Sequence, residues 1–179
     1  MALGSTMYTA DVTLADMDRG VYETLNVRLA RHPAESLEYL ASRLIAYCME
    51  YEEGITFGKG LAEADEPALM VRDDTGRLKV WIDVGAPDAD RLHKASKSAE
   101  RVAVYTHRDP AMLQKHYAGK RIHQAAEIAM YAIDQSLLEA LTEHIDRRTA
   151  VALTVTEGVV YLDVGGVNVQ GAIVRHAIK

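Results

Sequence analysis

A single cysteine in 179 residues excludes an internal disulfide and gives no support to a thiolate zinc cluster. Cys48 lies on the apolar side of a helical pattern, so a buried, inert thiol is expected there. No apolar run approaches the ~20 residues of a membrane-spanning helix, and the N-terminal residues carry neither a basic start nor a long apolar stretch. A cytoplasmic protein without a membrane partner is the expectation. Gly58-Lys59-Gly60 lacks the rest of a phosphate-cradling P-loop, and no nucleophile elbow occurs. The seven histidines offer no pair at specific metal-ligating spacing on a predicted helix. Cationic excess is also missing: a net charge of −6 argues against a general nucleic-acid binder, whose affinity comes from neutralising phosphates. What remains is ordinary globular composition, 49% hydrophobic and 26% charged, with no repeat, low-complexity tract or linker. One domain over residues 1–179 is expected, as a monomer rather than an obligate oligomer.

The average charge hides an asymmetry. Between Arg91 and His123 stand eight Lys/Arg residues (Arg91, Lys94, Lys97, Arg101, Arg108, Lys115, Lys120 and Arg121), opposed only by Glu100 and Asp109. His93, His107, His116 and His123 fall in the same stretch. Two readings are open: a face that meets a phosphate backbone, or a solvated helical surface with its charges dispersed.

Alternating residues from Thr6 to Leu14 and from Tyr22 to Ala30 predict a hairpin about Asp16–Gly20. Pro33 fits a first helical position and Glu35 a first turn. Leu37, Leu40, Ala41, Leu44, Ile45, Cys48 and Met49 then keep helical spacing until Gly54. A short strand at Ile55–Phe57 leads to a second hairpin. Beyond it, the pattern predicts a helix from Asp88 to Ala99, a strand from Arg101 to Thr106 and a helix from Ala111 to Gly119. A strand over Ile128–Ile133, a helix over Ser136–Ile145 and a meander in the last thirty residues follow. The class is α+β: a compact mixed sheet with flanking helices, an N-terminal hairpin and a C-terminal meander.

The second hairpin carries the chemistry. Asp74-Thr75-Gly76 supplies the turn between Ala68–Val71 and Leu78–Ile82. A register symmetric about that turn sets Leu69 against Val80, Val71 against Leu78, and Glu66 against Asp83. Opposed strand residues hold their Cβ atoms about 4.5–5.5 Å apart, where like charges repel. Two such carboxylates share a proton, diverge into water, or grip a cation. A turn bulge that slips the pairing by one residue would substitute Asp65 for Glu66.

An acid at the start of one strand, a second on the next and a nearby lysine resemble the working parts of the PD-(D/E)xK (restriction-endonuclease-like) nucleases. That resemblance implies that the acids hold Mg²⁺ or Mn²⁺, which activates water against a phosphodiester, while the lysine orients the water. The chain departs from the pattern in two places. The order is Glu66-Pro67, and Gly85 stands where the pattern has lysine. Lys94, on the following helix, is the relocated candidate, with Lys79 as its competitor.

Other stretches resemble one small bacterial family, the YaeQ family. They are Ala10-Asp11, Ala15-Asp16-Met17-Asp18-Arg19, Leu29-Ala30-Arg31-His32-Pro33 with Glu35, Lys59-Gly60-Leu61, Asp65-Glu66-Pro67, Trp81-Ile82-Asp83-Val84-Gly85 with Pro87, and Lys94-Ala95. The resemblance implies a variant PD-(D/E)xK core and no settled activity.

The expected catalytic set is therefore Glu66, Asp83 and Lys94, with Glu66, Asp83 and Glu38 as metal ligands. Glu38 enters because a first-helix glutamate joins the site in that superfamily; Glu35 is expected to satisfy the helix N-terminus. Arg31, Lys59 and Arg91 are candidate substrate contacts, with Arg108 beside them. Trp81 either packs under a helix or stacks a base. The leading function is a metal-dependent phosphodiesterase acting on DNA or RNA. The alternative is a non-catalytic nucleic-acid- or protein-binding module on the same fold.

Overall fold

The computed structural model describes residues 4–59 and 65–178. Within it the chain divides into two compact units, residues 1–49 with 133–173, and residues 50–132 with 174–179.

In the first unit, β1 (Thr6–Asp16) and β2 (Val21–Arg31) form the expected antiparallel hairpin. β1 also pairs in parallel with β8 (Arg148–Thr156). β9 (Val159–Val164) and β10 (Val167–His176) continue the sheet antiparallel, giving the order β2-β1-β8-β9-β10. One face alternates into the core through Val12, Leu14, Val27, Leu29, Leu153 and Leu162. Against it lie α1 (Leu37–Met49) and α4 (Gln135–His144), which also touch each other.

α1 starts later than proline placement suggests. Ser36 is its cap, its Oγ accepting the Tyr39 N–H at 3.1 Å. Pro33 and Glu35 precede the helix, and Glu35 is drawn instead into a buried ion pair with Arg43. Cys48 is buried as expected, and desolvation pushes its thiol up to about 12, against the opposing charge of Arg19.

α4 is capped by Asp134, whose carboxylate accepts from the Ser136 N–H at 2.8 Å and its hydroxyl at 2.6 Å. Those bonds hold the carboxyl below the usual aspartate value. A depressed folded value means the cap's contribution is complete above the ordinary aspartate value and is lost as pH falls through the folded one. Asp134→Ala lowers stability by about 0.5–2 kcal/mol at neutral pH. The gap to the parent closes in strong acid, which denaturant midpoints at neutral pH and near pH ~2 will read out.

In the second unit, β3 (Ile55–Phe57), β4 (Leu69–Arg72) and β5 (Leu78–Val84) are antiparallel neighbours. β5 is parallel to β6 (Arg101–Thr106), and β6 to β7 (Ala129–Ile133), in the order β7-β6-β5-β4-β3. The β5–β6 crossover is α2 (Ala89–Ser98); α3 (Pro110–Tyr117) and a 3-10 turn at Ala125–Glu127 lie between β6 and β7. Trp81, Val102, Val104 and Met130 pack with Leu92, Ala95, Leu113 and Tyr117 on the helical side of this sheet.

The β4–β5 register differs from the symmetric expectation. Leu69 pairs with Ile82, Met70 with Trp81 and Val71 with Val80, while Arg72 pairs with Leu78 across a bulge. Two causes combine. The turn closes on Asp73 and Arg77, with Gly76 left-handed at φ 86°, a three-residue loop in place of an even one. Asp73 locks it by accepting from Thr75 and Arg77, which holds its own carboxyl below the usual range. Lys79 is then the extra residue at the bulge. A shift of two residues leaves every side chain on its expected face but changes its partner. Extending the observed register brings Ala68, not Glu66, opposite Asp83.

Candidate functional site

Asp83 is the next-to-last residue of β5, 2% exposed and on the same face as Trp81. α2 follows almost at once. Asp88 caps it, accepting the Arg91 N–H at 2.8 Å, and this places Arg91 in the first turn above the strand end. The Arg91 guanidinium grips Asp83 through both oxygens, Nε to Oδ2 at 2.8 Å and Nη2 to Oδ1 at 3.0 Å. The same Nη2 donates to the Glu66 carbonyl at 2.5 Å, and the guanidinium lies 5.4 Å from the Trp81 ring centre. The turn between strand and helix explains the missing lysine. Gly85 sits at φ 87° while its N–H reaches the Tyr105 carbonyl, a conformation in which a lysine would be strained.

Glu66 directs its carboxylate elsewhere, accepting from the Lys59 N–H at 3.0 Å. Gly58 makes that approach feasible. A Cβ there would fall 2.0 Å from the Pro67 carbonyl oxygen, and its N–H bonds to Ala68. The Lys59 backbone thus serves a protein carboxylate; Gly60 lies outside the described residues.

Lys94 is exposed and shares a hollow of ≈ 380 Å³ with Arg91, Trp81, Asp65, Asp88 and Asp90. Lys79 is committed to Glu52 at 2.7 Å, which raises its ionisation above the usual lysine value. Trp81 packs in the core rather than presenting an open face. Tyr117, which no sequence signal marked, donates to the Pro87 carbonyl at 2.5 Å. Burial, with the charges of Asp83 and Asp88, pushes its phenol well above the usual range and keeps it a neutral donor.

Arg31 and Glu38 belong to the first unit. Arg31 donates to the Glu35 carbonyl at 3.0 Å and to the Tyr8 hydroxyl at 3.1 Å. Glu38 is exposed in the first turn of α1.

These residues do not compose a divalent-ion site as they stand. Asp83 has both oxygens on a guanidinium, Glu66 turns to a backbone amide, and the cation bridging the two positions is Arg91 itself. Among the described residues, no three His, Cys, Asp or Glu side chains gather to hold a metal ion. Nor is any helix among them long and apolar enough to cross a membrane.

A family model described as YaeQ protein matches residues 1–173. The chain belongs to the YaeQ family. This YaeQ-family chain is 32% identical over 163 residues to the uncharacterised protein YaeQ of Escherichia coli (strain K12), covering 90% of each. Against the Salmonella typhi protein of the same name the identity is 33% over 165 residues, again with 90% of each covered. Its fold is similar to the crystal structure of YaeQ from Pseudomonas syringae, with TM-score 0.87, 33% identity, and 96% and 95% of the two chains covered. For YaeQ from Xanthomonas axonopodis pv. citri the TM-score is 0.88 at 29% identity, over 98% and 99%. The α+β class and the family read from the motifs both hold.

Charge in this YaeQ-family chain divides between its units. The first has six Lys/Arg against twelve Asp/Glu, the second fourteen against fourteen. Of the basic stretch, Arg91 is answered by Asp83 and Arg101 by Glu50, which also accepts from the Tyr105 hydroxyl at 2.6 Å. Lys94, Lys97, Arg108, Lys115, Lys120 and Arg121 stay exposed.

Proposed function

We propose that this chain is a nucleic-acid-binding module derived from a PD-(D/E)xK nuclease core, in which the Arg91 guanidinium has replaced the divalent ion. Kinship with the nucleases is supported by placement: Glu66 lies just before β4, and Asp83 is near the end of β5, the adjacent strand. The observation that carries the reading is the two-point grip of Arg91 on Asp83, extended to the Glu66 carbonyl. A fixed organic cation at that point neutralises the acid and leaves no open coordination position for a water. The exposed cations of the 91–123 stretch then supply phosphate contacts without hydrolysis.

Anisotropy titration of labelled DNA and RNA across a salt series tests the binding half. Three or four phosphate contacts give a slope of log K against log[salt] of about −2 to −4, with weak affinity at physiological salt. Calorimetry with Mg²⁺ and Mn²⁺ and a cleavage panel test the other half, both expected flat. Cleavage that depends on added metal would restore the phosphodiesterase reading. The observation favouring that reading is Lys94, which lines the same hollow as Arg91. It requires Arg91 to leave Asp83. Absence of salt-dependent affinity for either nucleic acid sinks the binding proposal.

A further inference from the structure

We infer that His93, Lys97, Arg121 and His123 form an anion site that takes a phosphoryl group. Assigning that group to a nucleic-acid backbone rests on the function proposed above; the site itself does not.

The geometry starts from one bond. The His93 Nδ1 accepts the His123 backbone N–H at 2.9 Å, and the two rings stand edge to face with centres 6.4 Å apart. A neutral imidazole that accepts at Nδ1 carries its proton on Nε2, so His93 is fixed as a donor there. The bond also ties the segment after α3 to the outer side of α2, bringing Arg121 and His123 to the helix. Lys97 is one turn beyond His93 on that same helical face.

Two kinds of cation stand in this unit, those held by a carboxylate and those left exposed, and this group draws on the second. Arg91, Arg101 and Lys79 each hold an ion pair, whereas Lys97 and Arg121 are exposed with none among the described residues. The crowding is felt by His93. Partial desolvation first, then Lys97, Arg121 and His123, hold its ionisation below the usual imidazole range, with Asp90 alone opposing. Mutually repelling donors brought together by a backbone hydrogen bond are relieved by an anion with several oxygens. A phosphoryl group offers three acceptors to Nζ, the guanidinium and imidazole N–H groups at once.

Pyrophosphate, titrated against the full chain while the histidine ring signals are followed by NMR, tests this. The His93 and His123 signals are expected to move saturably, with those of His32 and His176 unmoved. Lys97→Ala and Arg121→Ala each weaken the response about tenfold, the size of one lost charge-assisted contact. Both positions are exposed, and circular dichroism verifies that the variants remain folded. Ring signals that stay still, or variants that respond as the parent does, overturn the site. The same variants titrated with labelled DNA separate the two proposals. Pyrophosphate bound here by a protein that ignores nucleic acid leaves the site standing and ends the nucleic-acid function. Nucleic acid bound equally by parent and variants keeps the nucleic-acid function and ends the assignment of this site to its backbone.

Discussion

Glu35→Gln lowers the unfolding free energy by about 3–5 kcal/mol, because it takes the carboxylate charge away from the buried Arg43 guanidinium that it contacts. The pair is among the most enclosed polar contacts described, with side chains 2% and 1% exposed for Arg43 and Glu35. Arg43 reaches the same Glu35 oxygen twice, from Nη2 at 2.7 Å and Nε at 3.0 Å, and donates to the Ala30 carbonyl at 3.0 Å. Glutamine keeps the shape and removes the charge, so the cost is electrostatic rather than a cavity. A loss of that size is a large part of the roughly 5–15 kcal/mol that holds a typical domain together. Replacing both residues with apolar ones of similar volume removes the buried charge. The double variant Glu35→Leu, Arg43→Met therefore recovers most of the loss and can exceed the parent by about 1–4 kcal/mol. Urea midpoints on the three proteins decide the matter. A single variant within about 0.5 kcal/mol of the parent would mean that water reaches the pair.

Arg91→Ala destabilises the second unit by about 3 kcal/mol, the lower end of the range for a broken buried pair. The lower end applies because the guanidinium is 26% exposed while its partner is 3% exposed. The more telling consequence concerns metal. With the guanidinium gone, the Asp83 carboxylate and the Glu66 carbonyl lose the one cation they share. Mn²⁺ then binds where Arg91 stood and restores part of the stability, about 1.4 kcal/mol at tenfold excess over its dissociation constant. Thermal melts of parent and variant with and without Mn²⁺ measure this directly. The parent is expected to be indifferent to the ion and the variant to gain. Equal indifference in both means that these two groups never held a metal in the manner of a nuclease.

Most elements were readable because periodicity and caps agree in this chain. Asp88 and Asp109 announce α2 and α3, and alternation marks the strands on either side of Gly20 and Gly158. The start of α1 was misplaced because Pro33 and Glu35 outweighed Ser36, the residue that caps it. The acids of the second hairpin were legible; their relation was not. Pairing depended on a left-handed Gly76 and one bulged lysine, both local details that alternation cannot encode, since a two-residue slip preserves every face. Asp83 reads from the sequence as a strand-end acid facing Glu66; its burial is a finding of the structure. Its partner was expected to be a metal, whereas a helix capped at position 88 delivers an arginine. The excess of cations between Arg91 and His123 was visible as a sum. Which of them are neutralised depends on Glu50 and Asp83, both outside that stretch.

The parallel pairing of β1 with β8 has a consequence for synthesis. β1 and β2 are made first, yet the strand that covers the other edge of β1 begins only at Arg148. At 5–20 residues per second, the ribosome takes on the order of ten seconds to supply it. Throughout that interval the nascent hairpin shows an unclaimed row of amides and carbonyls to any passing strand. A chain stalled before β8 thus carries a ready seed for aggregation, and a holding chaperone at the exit tunnel is the remedy its topology calls for.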